Sequence, residues 1–219
     1  MISSCPDWNQ DRPGDARRIV ANIKALWPLI EGDATTRPTP SLAIALEWHR
    51  RIYDGVAVPH PDYVGHMRGS EARYPCLIDY EVSVGTTRGV LARDVPAALD
   101  AFIRSTATVV STLDAAVPTG IVPSAPPAVA AIVRLCAYAH GEWIRIHPFA
   151  NGNGRTARIW ANWIAVRYGL PPFVRIKPRP DDVLFAGAAE LSMRGDHRPT
   201  EVMFAWMLDE VIRTAMGQL

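Results

Sequence analysis

The chain is short of the features that would place it in several large classes. It has three cysteines, Cys5, Cys76 and Cys136, an odd number at wide spacing with no CxxC pair. That pattern argues against a zinc site or a disulfide framework and fits a reducing cytoplasm. It has almost no net charge: 23 basic against 22 acidic residues, +1 overall. A helical nucleic-acid binder is therefore disfavoured, and no basic stripe is clustered along the chain, although a local basic site stays open. Only Lys24 and Lys177 are lysines; the other basic residues are arginines. No window approaches the ~18 uninterrupted apolar residues of a membrane span. The opening MISSCPDWNQDRPGD lacks the positive segment and apolar core of a secretory leader.

What is present suits one globular unit. At 219 residues and 48% hydrophobic, the chain can bury a sizeable core. Residues 1–14 are polar, carry Pro6 and Pro13, and read as an extended arm. Asp15 can cap a helix to about Glu31, with Ile19, Val20, Ile23, Trp27 and Ile30 at helical spacing before GDATTRP breaks it. Thr39-Pro40 offers an N-cap and N1 pair for a helix that ends at Gly55. Over residues 56–93 prolines and glycines rule out a long helix, and DYEVSVGTTRGVLARDV alternates around GTTRG as a hairpin does. Helical patterns return from Asp94 to about Ala115, then in PAVAAIVRLCAYAHGEWIRI and RTARIWANWIAVRYG. Two more run from Asp181 to Arg194 and from Thr200, an N-cap, to about Ala215. Trp143, Trp160, Trp163 and Trp206 are expected in the core or at its edge, and Cys136 as a small buried hydrophobe. The expectation is an all-α bundle with one short β-hairpin, divided into an arm and helix at 1–38 and a main domain at 39–219.

The chemistry concentrates in HPFANGNGRTAR, residues 147–158. A residue before proline is pushed out of the helical region, so His147 should leave the preceding helix and turn its ring into a cleft. Phe149 would anchor the loop. Asn151, Gly152, Asn153 and Gly154 can turn tightly, and the next helix starts within or just after them. Its first N–H groups have no intrahelical acceptor and sit at the positive end of the helix dipole, which suits an anion. Arg155 and Arg158 lie on one helix face, an arrangement that favours an anion between them. A histidine of ordinary pKa near ~6.5 beside that anion can take a proton from a hydroxyl. Base, anion cradle and cations together point to phosphoryl or nucleotidyl transfer. Each element alone also has a plain structural explanation: a helix stop, a turn, a solvated face.

The segment resembles the signature of the Fic family, HPFx(D/E)GNGRxxR, at His147, Pro148, Phe149, Gly152, Asn153, Gly154, Arg155 and Arg158. The likeness extends over the flanking helices and YVGHMRG, about residues 40–210. It implies a Fic fold, a helical bundle with a β-hairpin flap over the active site. It implies transfer of AMP from ATP, with Mg²⁺ or Mn²⁺, to a Ser, Thr or Tyr hydroxyl of a target protein. Carried over by position, His147 is the base. Asn153 and the Gly152 and Gly154 backbone form the anion hole for the α-phosphate, and Arg155 and Arg158 hold the outer phosphates. The hairpin around Val82–Val90, with Val82, Ser83, Val84, Gly85 and Thr86, registers the target by strand addition.

One position departs from the signature: the acid that helps hold the metal is Asn151. An amide oxygen can coordinate a hard cation but brings no charge. Three readings remain: a differently tuned AMP transferase, a relative using another phosphate-containing donor, and a degenerate domain that binds nucleotide or a partner without turnover. The resemblance also raises an inhibitory (S/T)xxxE(G/N) helix, but no glutamate here has Ser or Thr four residues before it. Inhibition is then expected from a separate antitoxin-like protein whose glutamate reaches Arg158. Among other candidates, His49 and His140 lack the companions of a metal site. His66 and Arg68 are read as loop residues that could line the cleft.

Overall fold

The computed structural model describes residues 5–69, 72–180 and 183–217. Its elements in chain order are α1 (Ala16–Thr35), α2 (Leu42–Ile52), a single turn α3 (Pro75–Ile78), strands β1 (Ser83–Val84) and β2 (Thr87–Arg88), then α4 (Val95–Ala116), α5 (Pro126–Ile146), α6 (Asn153–Arg167), α7 (Val183–Met193) and α8 (Arg198–Ala215). The expected class holds: an all-α bundle with one small antiparallel hairpin, paired Ser83 with Arg88 and Val84 with Thr87.

The core is built on α5 and α6. Apolar residues surround both helices, so each must be covered on several sides. α5 packs on α4, α6, α7 and α8, and α6 packs on α1, α2 and α5. Trp160 of α6 sits at the centre, 5.0 Å from the Trp48 ring, 5.6 Å from Phe102 and Trp163, and 5.9 Å from Trp143. The close approach of α5 to the α7–α8 turn needs Gly141: a Cβ there would lie 2.4 Å from His197 Nδ1. This central pair carries the motif, because the turn joining α5 to α6 is residues 147–152.

Several boundaries differ from expectation, each for a packing reason. α1 continues past Pro28 and Gly32 to Thr35, because Ile30 and Ala34 extend its buried face; tertiary burial outweighs the low helix propensity of GDAT. α2 is entered from Ser41 rather than Thr39. The Asp181 start expected for the next helix lies outside the described residues. Thr200 is not a cap: α8 starts two residues earlier, and the buried Thr200 hydroxyl hydrogen-bonds Ser192 Oγ at 3.0 Å. Trp206 is 58% exposed, on the outer face of α8, rather than in the core. Cys136 is buried and free, as its helical surroundings suggest.

The cysteine reading needs the largest correction. Cys5 and Cys76 form a disulfide across 71 residues, tying the N-terminal arm to α3. Wide spacing hid the pair, since sequence distance says nothing about where an arm folds back. Such a bond persists in an oxidising compartment; in a reducing one the two thiols would lie side by side. The arm is also held by Trp8, which is 3% exposed and packs on Tyr53 and Tyr63, and by the Tyr80 hydroxyl, which accepts from the Trp8 N–H at 2.8 Å. Closing so long a loop is expected to contribute about 2–4 kcal/mol. Urea unfolding with and without reductant should therefore show a clear drop in midpoint on reduction, and Cys76→Ser should reproduce it; identical midpoints would show that the bond does not hold the arm.

Candidate active site

The turn from α5 to α6 is locked by side chains that never reach the cleft. His147 leaves α5 in the left-handed region, φ 53° and ψ 57°, a conformation rare outside glycine. Asn153 Oδ1 accepts from the Phe149 N–H and Asn153 Nδ2 donates to the Phe149 carbonyl, both at 2.9 Å. Phe149 itself is fully buried and stacks on His49 at 3.9 Å between ring centres. His49 Nδ1 accepts from the Gly65 N–H at 2.9 Å. The other ring nitrogen, Nε2, must therefore carry the proton that is donated to the Asn151 carbonyl at 3.0 Å. Gly152 closes the turn at φ 81°, with Tyr53 and His49 so near that a Cβ would meet them at 2.9–3.0 Å.

What the turn presents is a cleft of about 660 Å³, lined by His147, Asn151 to Arg155, Arg158, the flap residues Val82, Ser83, Val84 and Gly85, and Lys177 and Arg179. Arg155 and Thr156 make the first intrahelical bonds of α6, to the Gly152 carbonyl. The N–H groups of Asn153 and Gly154 have no acceptor among the described residues. The Asn153 carboxamide is spent on Phe149, so what position 153 offers the cleft is its backbone N–H. Thr86 faces a second, more apolar cavity of about 600 Å³ beyond the hairpin, which His147 and Arg158 also border.

His147 Nδ1–H donates to the Ile144 carbonyl at 2.7 Å, which leaves Nε2 as the nitrogen with a free lone pair. Burial pushes its pKa down to about 4; the Ile144 bond works against that and the nearby Arg68 charge adds to it. The ordinary value near ~6.5 assumed from sequence does not apply. With its pKa lowered, the ring at neutral pH is in its neutral form, with its proton on Nδ1 and Nε2 unprotonated.

The two arginines of the motif have different surroundings. Arg155 Nη2 donates to Asp11 Oδ1 at 3.0 Å and to the Tyr53 hydroxyl, and lies 3.4 Å from Asn151 Oδ1. The anion that Arg155 meets is therefore internal and comes from the N-terminal segment expected as an extended arm. Arg158 Nε donates to the Ile176 carbonyl at 3.0 Å, and no carboxylate pairs with its guanidinium among the described residues. Burial first, then the charges of Arg155 and Arg179, lower its pKa to about 9.

Arg68 was read as a loop residue that could line the cleft. It is instead completely buried and donates to the carbonyls of His147 (2.8 Å), Tyr80 (2.7 Å), Val90 (2.9 Å) and Ile146 (3.1 Å). It bolts both ends of the flap to the base of the motif. His66 also stays out of the cleft, with Nδ1 hydrogen-bonded to the Asp62 carbonyl and its ring stacked on Tyr74. Asp11, His49, Lys177 and Arg179 carry no motif of their own, so nothing in the sequence marks them.

The metal that the resemblance implies does not fit these residues. Asn151 Oδ1 accepts from the Gly152 N–H at 2.6 Å and has the Arg155 cation as its other neighbour. The acid on the cleft wall, Glu81, is engaged by Arg68 at 3.6 Å and Arg88 at 3.4 Å. Among the described residues no cluster of three or more His, Cys, Asp or Glu could hold a metal ion. No step below passes through one.

Fold and cleft define a helical domain with outward-facing backbone N–H groups at a helix start, a histidine beside them and a hairpin at the cleft wall. The family model of the Fic/DOC family matches residues 40–165, and the chain belongs to that family. A 67-residue stretch is 40% identical to the protein adenylyltransferases Fic of Drosophila persimilis and Drosophila pseudoobscura pseudoobscura, covering 31% of this chain and 13% of each relative. The whole chain is similar in fold to a Fic-domain-containing signaling protein from Bacteroides thetaiotaomicron, at 20% identity and TM-score 0.60, over 92% of this chain and 73% of that one. It is also similar to residues 134–508 of Fic-1 from C. elegans, at 22% identity and TM-score 0.59, over 91% and 49% of the two chains.

Two buried histidines outside the motif sequence, His49 packed against its turn and His140 in α5, should make the fold acid-sensitive. Burial holds the pKa of both His49 and His140 down to about 3. Between the unfolded value near ~6.5 and about 3, the unfolded chain binds protons that the native chain does not, so stability falls as pH drops through that window. Each group contributes up to about 1.4 kcal/mol per pH unit. Urea midpoints measured from pH 7 to 5 should fall steadily, and His49→Gln should flatten part of the slope; a midpoint constant over this range would contradict neutral burial.

Proposed function

We propose that the chain is a Fic-type transferase that moves AMP from ATP to a hydroxyl side chain of a target protein, with His147 as general base. One observation carries the reading: a histidine nitrogen with a free lone pair, two backbone N–H groups with no acceptor among the described residues and an arginine with no carboxylate partner among them converge on one cleft. The target hydroxyl gives its proton to His147 Nε2 as its oxygen attacks the α-phosphorus. The bond to the β-phosphate oxygen breaks and pyrophosphate leaves. The N–H groups of Asn153 and Gly154 stabilise the charge that builds on the α-phosphate oxygens, and Arg158 binds the departing end. Target backbone adding to the hairpin edge would place the hydroxyl. The names of the relatives as adenylyltransferases support the AMP donor.

A second reading, nucleotide or partner binding without turnover, is favoured by the occupied state of Asn151 Oδ1 and Arg155. The open guanidinium of Arg158 also suits the carboxylate of a separate inhibitor protein. Incubation with ATP labelled on the α-phosphate and a cell lysate separates the readings: label on protein that disappears in His147→Ala supports transfer, whereas tight nucleotide binding without label transfer supports the second.

The lowered pKa of His147 gives a further check. Transfer should change by less than about twofold between pH 7.5 and 5.5, where a histidine of ordinary pKa would lose about tenfold. A tenfold fall measured at saturating ATP, with the fold intact by circular dichroism, would refute the base in the form described.

A further inference from the structure

We propose that this chain grips the polyphosphate of its nucleotide with side-chain cations and needs no divalent metal ion to do so, Lys177 and Arg179 supplying charge that a metal would otherwise bring. The inference rests on the functional reading above and extends it to two residues outside the motif.

The acids near the cleft cannot serve a metal without losing an existing partner. Asp11 is held by Arg155 and lies 3.4 Å from Lys177 Nζ, while Glu81 is shared by Arg68 and Arg88 and also accepts from the Ala92 N–H at 3.2 Å. Position 151 offers an amide whose oxygen already caps the next residue. A hard cation would displace an arginine and gain no carboxylate in return.

The cationic side is built, not incidental. The segment after α6 is clamped to that helix at two places. Asn162 Oδ1 accepts from the N–H groups of Phe173 and Val174 at 3.0 Å, and Asn162 Nδ2 donates to the Val174 carbonyl at 2.7 Å. One turn earlier on α6, Arg158 Nε fixes the Ile176 carbonyl. Lys177 is the next residue, so the same helix face that points Arg158 into the cleft also sets Lys177 and Arg179 on its wall. Within the segment, Arg175 donates to the carbonyls of Pro178 and Arg179, which holds the backbone around Lys177 and Arg179 in a local turn. Among the described residues, Arg155, Arg158, Lys177 and Arg179 thus face Asp11 and Glu81, and Glu81 is already shared by Arg68 and Arg88. An excess of arginine charge around a cleft with free backbone N–H groups is relieved by a polyanion. With the metal's place taken by guanidinium and ammonium groups, adding a metal would increase a positive charge that is already in surplus.

The test is calorimetric titration of the full chain with α,β-methylene-ATP, which cannot be cleaved at the transferred bond, once in excess EDTA and once in excess Mg²⁺. The expected result is binding in EDTA within about threefold of that in Mg²⁺, weakened about tenfold or more by Lys177→Gln and Arg179→Gln together, at unchanged melting temperature. Binding seen only with Mg²⁺ overturns the proposal and leaves the functional reading standing. Metal-free binding that the double variant leaves intact overturns the assignment to Lys177 and Arg179. Absence of binding under both conditions removes the functional reading as well.

Discussion

Asn153 exchanges two hydrogen bonds with the backbone of Phe149, and His49 donates one to the carbonyl of Asn151. These three bonds fix the turn between α5 and α6, and the geometry of the cleft is referred to that turn. They hold Phe149 in the core, keep His147 in a backbone conformation that costs energy outside glycine, and leave the next two N–H groups facing outward. Both donors are buried, so losing either would strand a polar partner away from water. The catalytic-looking residues are therefore exposed to ligand only because residues beside and behind them are fully spent on structure.

The charge pattern follows from the same economy of partners. The motif supplies two arginines, and the arm neutralises one of them with Asp11, whose carboxyl is held below its usual range: burial opposes its ionisation, but the hydrogen bond and charge of Arg155 prevail. The other arginine is anchored at Nε and left open at its outer nitrogens. Proximity in sequence made Arg155 and Arg158 look like equals, whereas their environments divide them into a strut and a free cation.

Much of the fold was legible, and for a clear reason. Long periodic apolar segments such as 126–146 and 153–167 must bury several faces, and the hairpin announced itself by alternation around glycine. The motif was legible because its residue types are chemically unusual side by side. What stayed hidden depended on distant chain segments meeting: Cys5 with Cys76, Asp11 with Arg155, His49 with Asn151, and Asn162 with the loop that carries Lys177. None of these pairs has a local signature. What the Asn153 side chain does was also hidden, because an asparagine in a glycine-rich turn can serve either backbone or ligand, and here its carboxamide is bonded to Phe149. The pKa of His147 was misjudged because burial is invisible in a sequence.

Arg68 reaches the base of the hairpin through the carbonyls of Tyr80 and Val90 and the carboxylate of Glu81, and the end of α5 and the motif through the carbonyls of Ile146, His147 and Pro148. Carbonyl oxygens are the same in every residue, so that part of the joint is blind to which side chains it connects. The carbonyl contacts do not depend on the side chains of residues 83 to 87, whereas Arg88 reaches the mounting through Glu81. That makes the hairpin a head on a socket whose fastening is set mostly by backbone.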